Sequence, residues 1–248
     1  MLHFKKREAI PNNNTFPMRI NKYIAHQGWT TRRQADEYIL RKKVLINGKV
    51  AELGDKVMRD DKVELLDQNK MVQHDYFAYY KPEGETVNDD DTVLMDFLKK
   101  TKTFVANSLE RDISGLIIVT NDGRLTTQLL HYNYEREYLI KTREPFKPLM
   151  IKKFKEGIFL DDEKTIPAKV KEIDEKTLSL TLYEEKSHQI KKMLSSYKSE
   201  ADQIKRERLA NITLRGLQPG DFKPIKNEEK DIFLNLIGLK APVKKADK

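Results

Sequence analysis

Three observations predict an α+β fold in two parts, a small N-terminal α/β module followed by a larger domain of strands and flanking helices. Apolar residues recur at helical spacing from Met18 to Leu40, short apolar or alternating runs dominate after Val44, and basic charge gathers at the two ends. At 248 residues with 38% hydrophobic content, the chain can bury one full-sized core and a smaller one. Charged residues make up 35%, and 47 Lys and Arg against 39 Asp and Glu give +8 and a pI near 9.3. The stretch 18–66 holds 11 basic and 7 acidic residues, whereas 67–237 is close to neutral. Such a distribution suits a chain that docks a polyanion through a terminal module and works elsewhere, although lysine-rich surfaces also serve solubility alone.

Residues 1–17 have neither the apolar run nor the small-residue cleavage site of a signal peptide, and read as a disordered, mildly basic leader. No apolar stretch approaches the roughly 18 residues of a membrane span. The absence of cysteine excludes disulfides and thiolate chemistry, and a cytoplasmic location is expected.

A first helix is predicted where Ile20, Tyr23, Ile24 and Gln27 share a face, with Gly28 as its stop. Thr31-Arg32-Arg33-Gln34 has the form of a capping box and opens a second helix carrying Ala35, Ile39 and Leu40. Arg32 and Arg33 then stand in a first turn, where the helix dipole disfavours cations. A phosphate held by those side chains and the free N–H groups would account for them, as would simple solvation. Two short strands follow around Asn47-Gly48. This order resembles the S-four type of RNA-binding domain, matching at Arg19, Asn21, Lys22, Ile24, Gly28, Thr31, Arg32, Arg33, Ala35, Ile39, Val44, Ile46, Asn47 and Gly48. The resemblance implies that Arg19, Lys22, Thr31, Arg32, Arg33, Lys43, Asn47 and Lys49 contact RNA, largely through salt-sensitive phosphate contacts.

Residues 67–75 read as a linker ending the module at 66. In the domain expected over 76–237, Tyr76–Tyr80 reads as a strand and Lys81-Pro82-Glu83-Gly84 as a turn. Asp91–Lys100 reads as a helix and Gly115–Thr120 as a buried strand. Arg136–Ile140 alternates, and Ala168–Ile173 with Leu178–Tyr183 forms a hairpin around Asp174–Thr177. A basic tail, 238–248, closes the chain.

The run Asn107–Gly123, NSLERDISGLIIVTNDG, resembles the active-site segment of the RsuA-like ribosomal-RNA pseudouridine synthases through Leu109, Gly115, Leu116, Thr120, Asp122 and Gly123. Lys81, Pro82 and Gly84, the Arg136-Glu137-Tyr138 strand, the segment Glu185–Met193, and Arg206, Leu214 and Gly220 continue that resemblance to about Phe233. It implies a mixed, mainly antiparallel sheet, and a reaction that breaks the N1–C1′ bond of uridine, turns the base and rejoins it through C5. Neither metal nor redox cofactor is needed. Carried over by position, the catalytic carboxylate is Glu110, the aromatic packing on uracil is Tyr138, and the cation holding the carboxylate ionised is Lys191. His188, Gln189 and Lys192 are expected to face RNA. The residues alone also admit Tyr138 as a core aromatic and 188–192 as a solvated helix face.

Tyr80 replaces an Asn and Glu185 a Gly of the family pattern, and four positions depart from it within the active-site loop: Asn107 for Gly, Ser108 for Arg, Glu110 for Asp and Ile113 for Thr or Ser. One added methylene moves a carboxylate by more than about 1 Å, a displacement that can cost about 10²-fold in rate. Two readings follow, a uridine isomerase acting on ribosomal RNA, or a catalytically impaired relative serving as a ribosome-associated or assembly factor. The clustered departures weigh toward the second. Asp112 is a weaker candidate nucleophile. RNA, foremost ribosomal RNA, is the expected partner of a monomer.

Overall fold

The computed structural model describes residues 16–27, 29–30, 32–66, 74–131 and 133–239. Nearly all of the expected leader and tail, Gly28, Thr31 and most of the expected linker lie outside the described residues. The chain divides into two compact units, one from the chain up to His74 with Asp122–Arg124, the other from Asp75–Asn121 and Leu125 onward.

The first unit runs β1 (Met18–Arg19), α1 (Ile20–His26), α2 (Arg32–Leu40), β2 (Val44–Ile46), β3 (Lys49–Val50), β4 (Lys56–Val57) and β5 (Val63–Leu65). Ile20 with Ile24, and Ala35 with Ile39, are one helical turn apart, so each pair lies on one helix face. Both faces are buried in one core with Val44, Ala51 and Val57. Asn21 Nδ2 donates to Asp36 Oδ1 at 2.9 Å and ties α1 to α2. The β2–β3 turn needs positive φ at two successive residues, and Asn47 and Gly48 supply 51° and 79°.

The second unit opens with β6 (Tyr76–Lys81), α3 (Val93–Thr101), β7 (Phe104–Val105), β8 (Ile113–Thr120), α4 (Gly123–His131) and β9 (Arg136–Thr142). It continues through α5 (Pro148–Glu156), β10 (Phe159–Leu160), β11 (Glu163–Lys164), β12 (Lys169–Glu172), β13 (Thr177–Leu182) and α6 (Gln189–Ser195). It closes with β14 (Ala201–Leu209), β15 (Ile212–Thr213), β16 (Phe222–Pro224) and α7 (Asn227–Leu236). The main sheet has the order β12-β13-β9-β14-β8-β6-β16, with β7 beside β8 and β15 beside β14. Only β8 and β14 run parallel, so the sheet is mixed and mainly antiparallel, as expected.

Some elements differ from the sequence expectation. The helix expected from Asp91 begins at Val93, because the Thr92 hydroxyl accepts from the Met95 N–H at 3.1 Å and caps it. The central strand begins two residues early, at Ile113, where it pairs with Ile204 of β14. Helices α4, α5 and α7 and strand β14 had no predicted counterpart. Pro148 at the first turn of α5 was the legible signal for that helix.

One sheet face buries Tyr76, Ala78, Leu116 and Ile118 against Leu125 and Leu129 of α4 and Phe233 and Leu234 of α7. The other face carries two separate apolar clusters. Tyr79, Ile117 and Val119 pack under Leu94 of α3, while Ile140, Leu178, Leu180 and Ile204 pack under α5 and α6. Between them a cross-strand row runs Lys81, Gly115, Arg206, Tyr138 over four neighbouring strands. The candidate site is built on that row.

Candidate active site

Gly115 makes the row possible. Its φ is +121°, and a Cβ there would lie 2.4 Å from the Arg206 carbonyl oxygen and 2.5 Å from the Arg206 nitrogen. No side chain fits, so β8 and β14 approach closely and bring Arg206 beneath the loop Asn107–Asp112. The Arg206 guanidinium is fully buried, and its Nε donates to the Leu116 carbonyl at 2.7 Å. With its amide oxygen turned to face that guanidinium, Asn107 accepts from Nη1 at 3.1 Å and Nη2 at 2.9 Å. Glu185 reaches the same region, with carboxylate oxygens 3.8 Å from Arg206 Nη1 and 3.3 Å from Arg136 Nε.

Lys81, also fully buried, holds the loop from another side. Its ammonium donates to the carbonyls of Pro82 at 2.7 Å, Glu85 at 2.8 Å and Arg111 at 3.3 Å. Burial lowers its pKa below that of an ordinary lysine, against the pull of nearby acids led by Glu85. Reciprocal bonds join the two loops, from Gly84 N to Arg111 O at 2.8 Å and from Arg111 Nε to Gly84 O at 2.9 Å.

Glu110 is fixed at its side chain. Lys191 Nζ stands 2.5 Å from Glu110 Oε2 and 2.7 Å from the Asp112 carboxylate, and His188 Nδ1 lies 2.9 Å from the same Glu110 oxygen. Burial works against the Lys191 charge, but the bonds to Asp112 and Glu110 outweigh it and raise its pKa. Lys191 in turn lowers the pKa of Asp112. Glu110 is about a quarter exposed, so the carboxylate is both paired and reachable.

Tyr138 is buried at 5% exposure. Burial raises its pKa, with Arg206 opposing through charge and a hydrogen bond. Its polar neighbours are thus Arg206, Glu185 and Arg136, while Leu109, next to Glu110, packs on the apolar cluster to which Tyr138 belongs.

Gln189 is 4% exposed and closes the turn before α6, accepting from Lys186 N at 3.1 Å and donating to Glu184 Oε1 at 3.0 Å. Lys192 pairs with Asp161. In the first unit Arg19, Lys22, Arg32, Arg33, Lys43 and Lys49 are all exposed. The Asn47 side chain instead bonds Asp61 and the Lys62 N–H, both at 2.8 Å. Thr31 lies outside the described residues. Arg206 and Glu185 were quoted only as motif positions, because a role that depends on strand register between distant segments leaves no local signal. Among the described residues no group of His, Asp and Glu could hold a metal ion.

The site thus holds a carboxylate paired with an ammonium, and the sheet row nearby carries a buried tyrosine and arginine. The comparisons with known proteins name the family. A model for RNA pseudouridylate synthases matches residues 75–196, and one for the S4 domain matches residues 18–63. Ribosomal large subunit pseudouridine synthase B of Bacillus subtilis (strain 168) is 35% identical over 230 residues, covering 85% of this chain and 93% of that protein. Dual-specificity RNA pseudouridine synthase RluF of Escherichia coli (strain K12) is 30% identical, covering 86% and 77%. A solved structure described as a pseudouridylate synthase superposes with a TM-score of 0.62 at 26% identity, covering 89% of this chain and 99% of that one. The chain belongs to the RNA pseudouridylate synthase family and carries an N-terminal S4 domain.

Proposed function

We propose that the protein isomerises uridine to pseudouridine in ribosomal RNA. Residues 18–66 dock the RNA and residues 76–237 perform the chemistry, joined by a linker at 67–75 and flanked by the leader 1–17 and the basic tail 238–248. The relatives named above are pseudouridine synthases of RNA or of the ribosomal large subunit by their names, and all three matches cover most of both chains. The N1–C1′ bond of uridine breaks, the base turns, and a C1′–C5 bond forms. The C5 proton leaves and N1 gains one, so substrate and product have the same atoms and oxidation state.

Glu110 is the carboxylate that assists departure and return of the base, Lys191 holds it by a hydrogen bond, and Tyr138 forms the aromatic floor beneath the ring. The observation that carries this reading is the pairing of Lys191 with a single oxygen of Glu110. Among the described residues Oε1 takes no hydrogen bond. A carboxylate serving only as a staple would gain by committing both oxygens. We place the protein in the cytoplasm as a monomer working without a cofactor. No described helix is long and apolar enough to cross a membrane.

The test is incubation of the purified protein with precursor ribosomal RNA and carbodiimide-stop mapping of pseudouridine. Product is expected from the wild type and none from Glu110→Gln. Absence of product from the wild type, with some restored by Glu110→Asp, would establish the binding-only reading. The docking role is tested separately. Replacing Arg32 and Arg33 together by alanine should weaken binding evenly across RNA sequences and lower the salt slope by about one unit per lost phosphate contact.

A further inference from the structure

We infer that His188 is a positioning residue for Glu110, gripping Oε2 together with Lys191 so that Oε1 is the oxygen presented to the uridine. The inference rests on the proposed role of Glu110 and adds how its longer side chain is aimed. Two nitrogens from different side chains converge on one oxygen, Lys191 Nζ through a hydrogen bond at 2.5 Å and His188 Nδ1 through a 2.9 Å contact that is an ion pair when the ring is protonated. A single ammonium fixes a distance but leaves the carboxylate free to swing about its stem. Glutamate has one more rotatable bond than aspartate, and a second contact on the same oxygen removes that freedom.

The backbone at His188 sits at φ 53°, ψ 29°, a left-handed conformation that histidine, like Asn and Asp, adopts more readily than most side chains. The turn it occupies does not need the imidazole. Gln189 closes that turn through Lys186 N and Glu184 Oε1, and the His188 carbonyl accepts from the Lys192 N–H. Among the described residues, the only polar contact of the imidazole is Glu110. Asp112 and Lys191 are the other charged groups beside it, and they are already bonded to each other. The sequence suggests an RNA contact for this histidine, and the structure adds a contact with the carboxylate.

The test compares two replacements in the full-length protein on precursor ribosomal RNA. His188→Gly relieves the left-handed backbone and removes the ring, whereas His188→Asn tolerates the same backbone and keeps an N–H donor near the place of Nδ1. His188→Gly should lower the single-turnover rate about 10-fold with RNA affinity unchanged, and His188→Asn should recover most of that loss. A glycine variant as fast as the wild type would overturn the inference. So would an asparagine variant no better than glycine, or a drop in RNA affinity equal to the drop in rate. If the wild type makes no pseudouridine, the reading of the site has failed, and the grip is judged by carbon-13 NMR of the Glu110 carboxyl. That resonance should follow the titration of the His188 ring in the wild type and not in His188→Gly, and a resonance blind to the ring would sink the inference.

Discussion

Two lysines hold the loop Asn107–Asp112, and they do so in opposite ways. Among the described residues, Lys81 is fully buried and bonds only main-chain carbonyls, while the Lys191 side chain is 36% exposed and bonds only carboxylates. Burial lowers the pKa of Lys81; hydrogen bonds to Asp112 and Glu110 outweigh burial and raise that of Lys191. The difference separates path from chemistry. Backbone acceptors survive any substitution in the loop, so the route set by Lys81 tolerates unusual residues at Asn107, Ser108 and Ile113. Side-chain acceptors do not, so the charge balance set by Lys191 depends on Glu110 and Asp112 being acids. Two of the departures also have structural partners of their own, since Asn107 lies against the Arg206 guanidinium, from which its amide oxygen accepts when turned toward it, and Ile113 is buried with Ile204.

The contrast breaks most severely at Gly115, which faces Lys81 on one side and Arg206 on the other. Gly115→Ala puts a Cβ within 2.5 Å of two Arg206 backbone atoms and should cost more than about 4 kcal/mol, read by chemical denaturation. Lys191→Met should sharpen the contrast by lowering the pseudouridine-forming rate about 10²-fold. Because Lys191 and its partners are partly exposed, the stability of that variant should change by less than about 1 kcal/mol. Lys81→Met should show the reverse order, losing roughly 2–3 kcal/mol of stability because three part-buried carbonyls are left without their charged donor. Its activity should return toward wild type wherever the variant remains folded. Equal losses of stability in both lysine variants would erase the distinction.

How much of this was legible depends on the distance over which each contact acts. The helices and Asn-Gly turn of the first unit follow from residues a turn apart, and Ile20–Ile24, Ala35–Ile39 and Asn47-Gly48 fall as their spacing requires. Lys81, Gly115 and Arg206 could each be read as motif positions. That they form one row with Tyr138 could not, because their meeting depends on the order in which β6, β8, β14 and β9 pair. The segment His188–Lys192 shows the limit most clearly. Its charge suggested a face turned to RNA; the pairings the structure adds, His188 with Glu110, Lys192 with Asp161 and Gln189 with Glu184, join segments that charge alone does not connect. Helix α6 has seven residues, too few for periodicity to choose which side faces out.

The smallest expected effect concerns Asp112, the second acceptor of Lys191 and the alternative nucleophile. Its carboxylate is 61% exposed, and the hydrogen bond from Lys191 lowers its pKa from the ordinary 3.8. A depressed carboxylate contributes stability above its unfolded value, and that contribution is lost as pH falls through the folded value. Lys191 is raised above 10.5, so its contribution is present below that pH and lost as pH rises through its folded value. Between about pH 4 and 10 both contributions are constant, and a comparison of variants there reads the contact itself. Asp112→Asn should cost less than about 1 kcal/mol and flatten the acid end of the stability profile. By leaving Lys191 to Glu110 alone, it should change the rate by no more than about threefold. If Asp112 were the attacking group, the same substitution would remove activity while Glu110→Gln spared it, so measuring the two variants side by side decides which carboxylate does the chemistry.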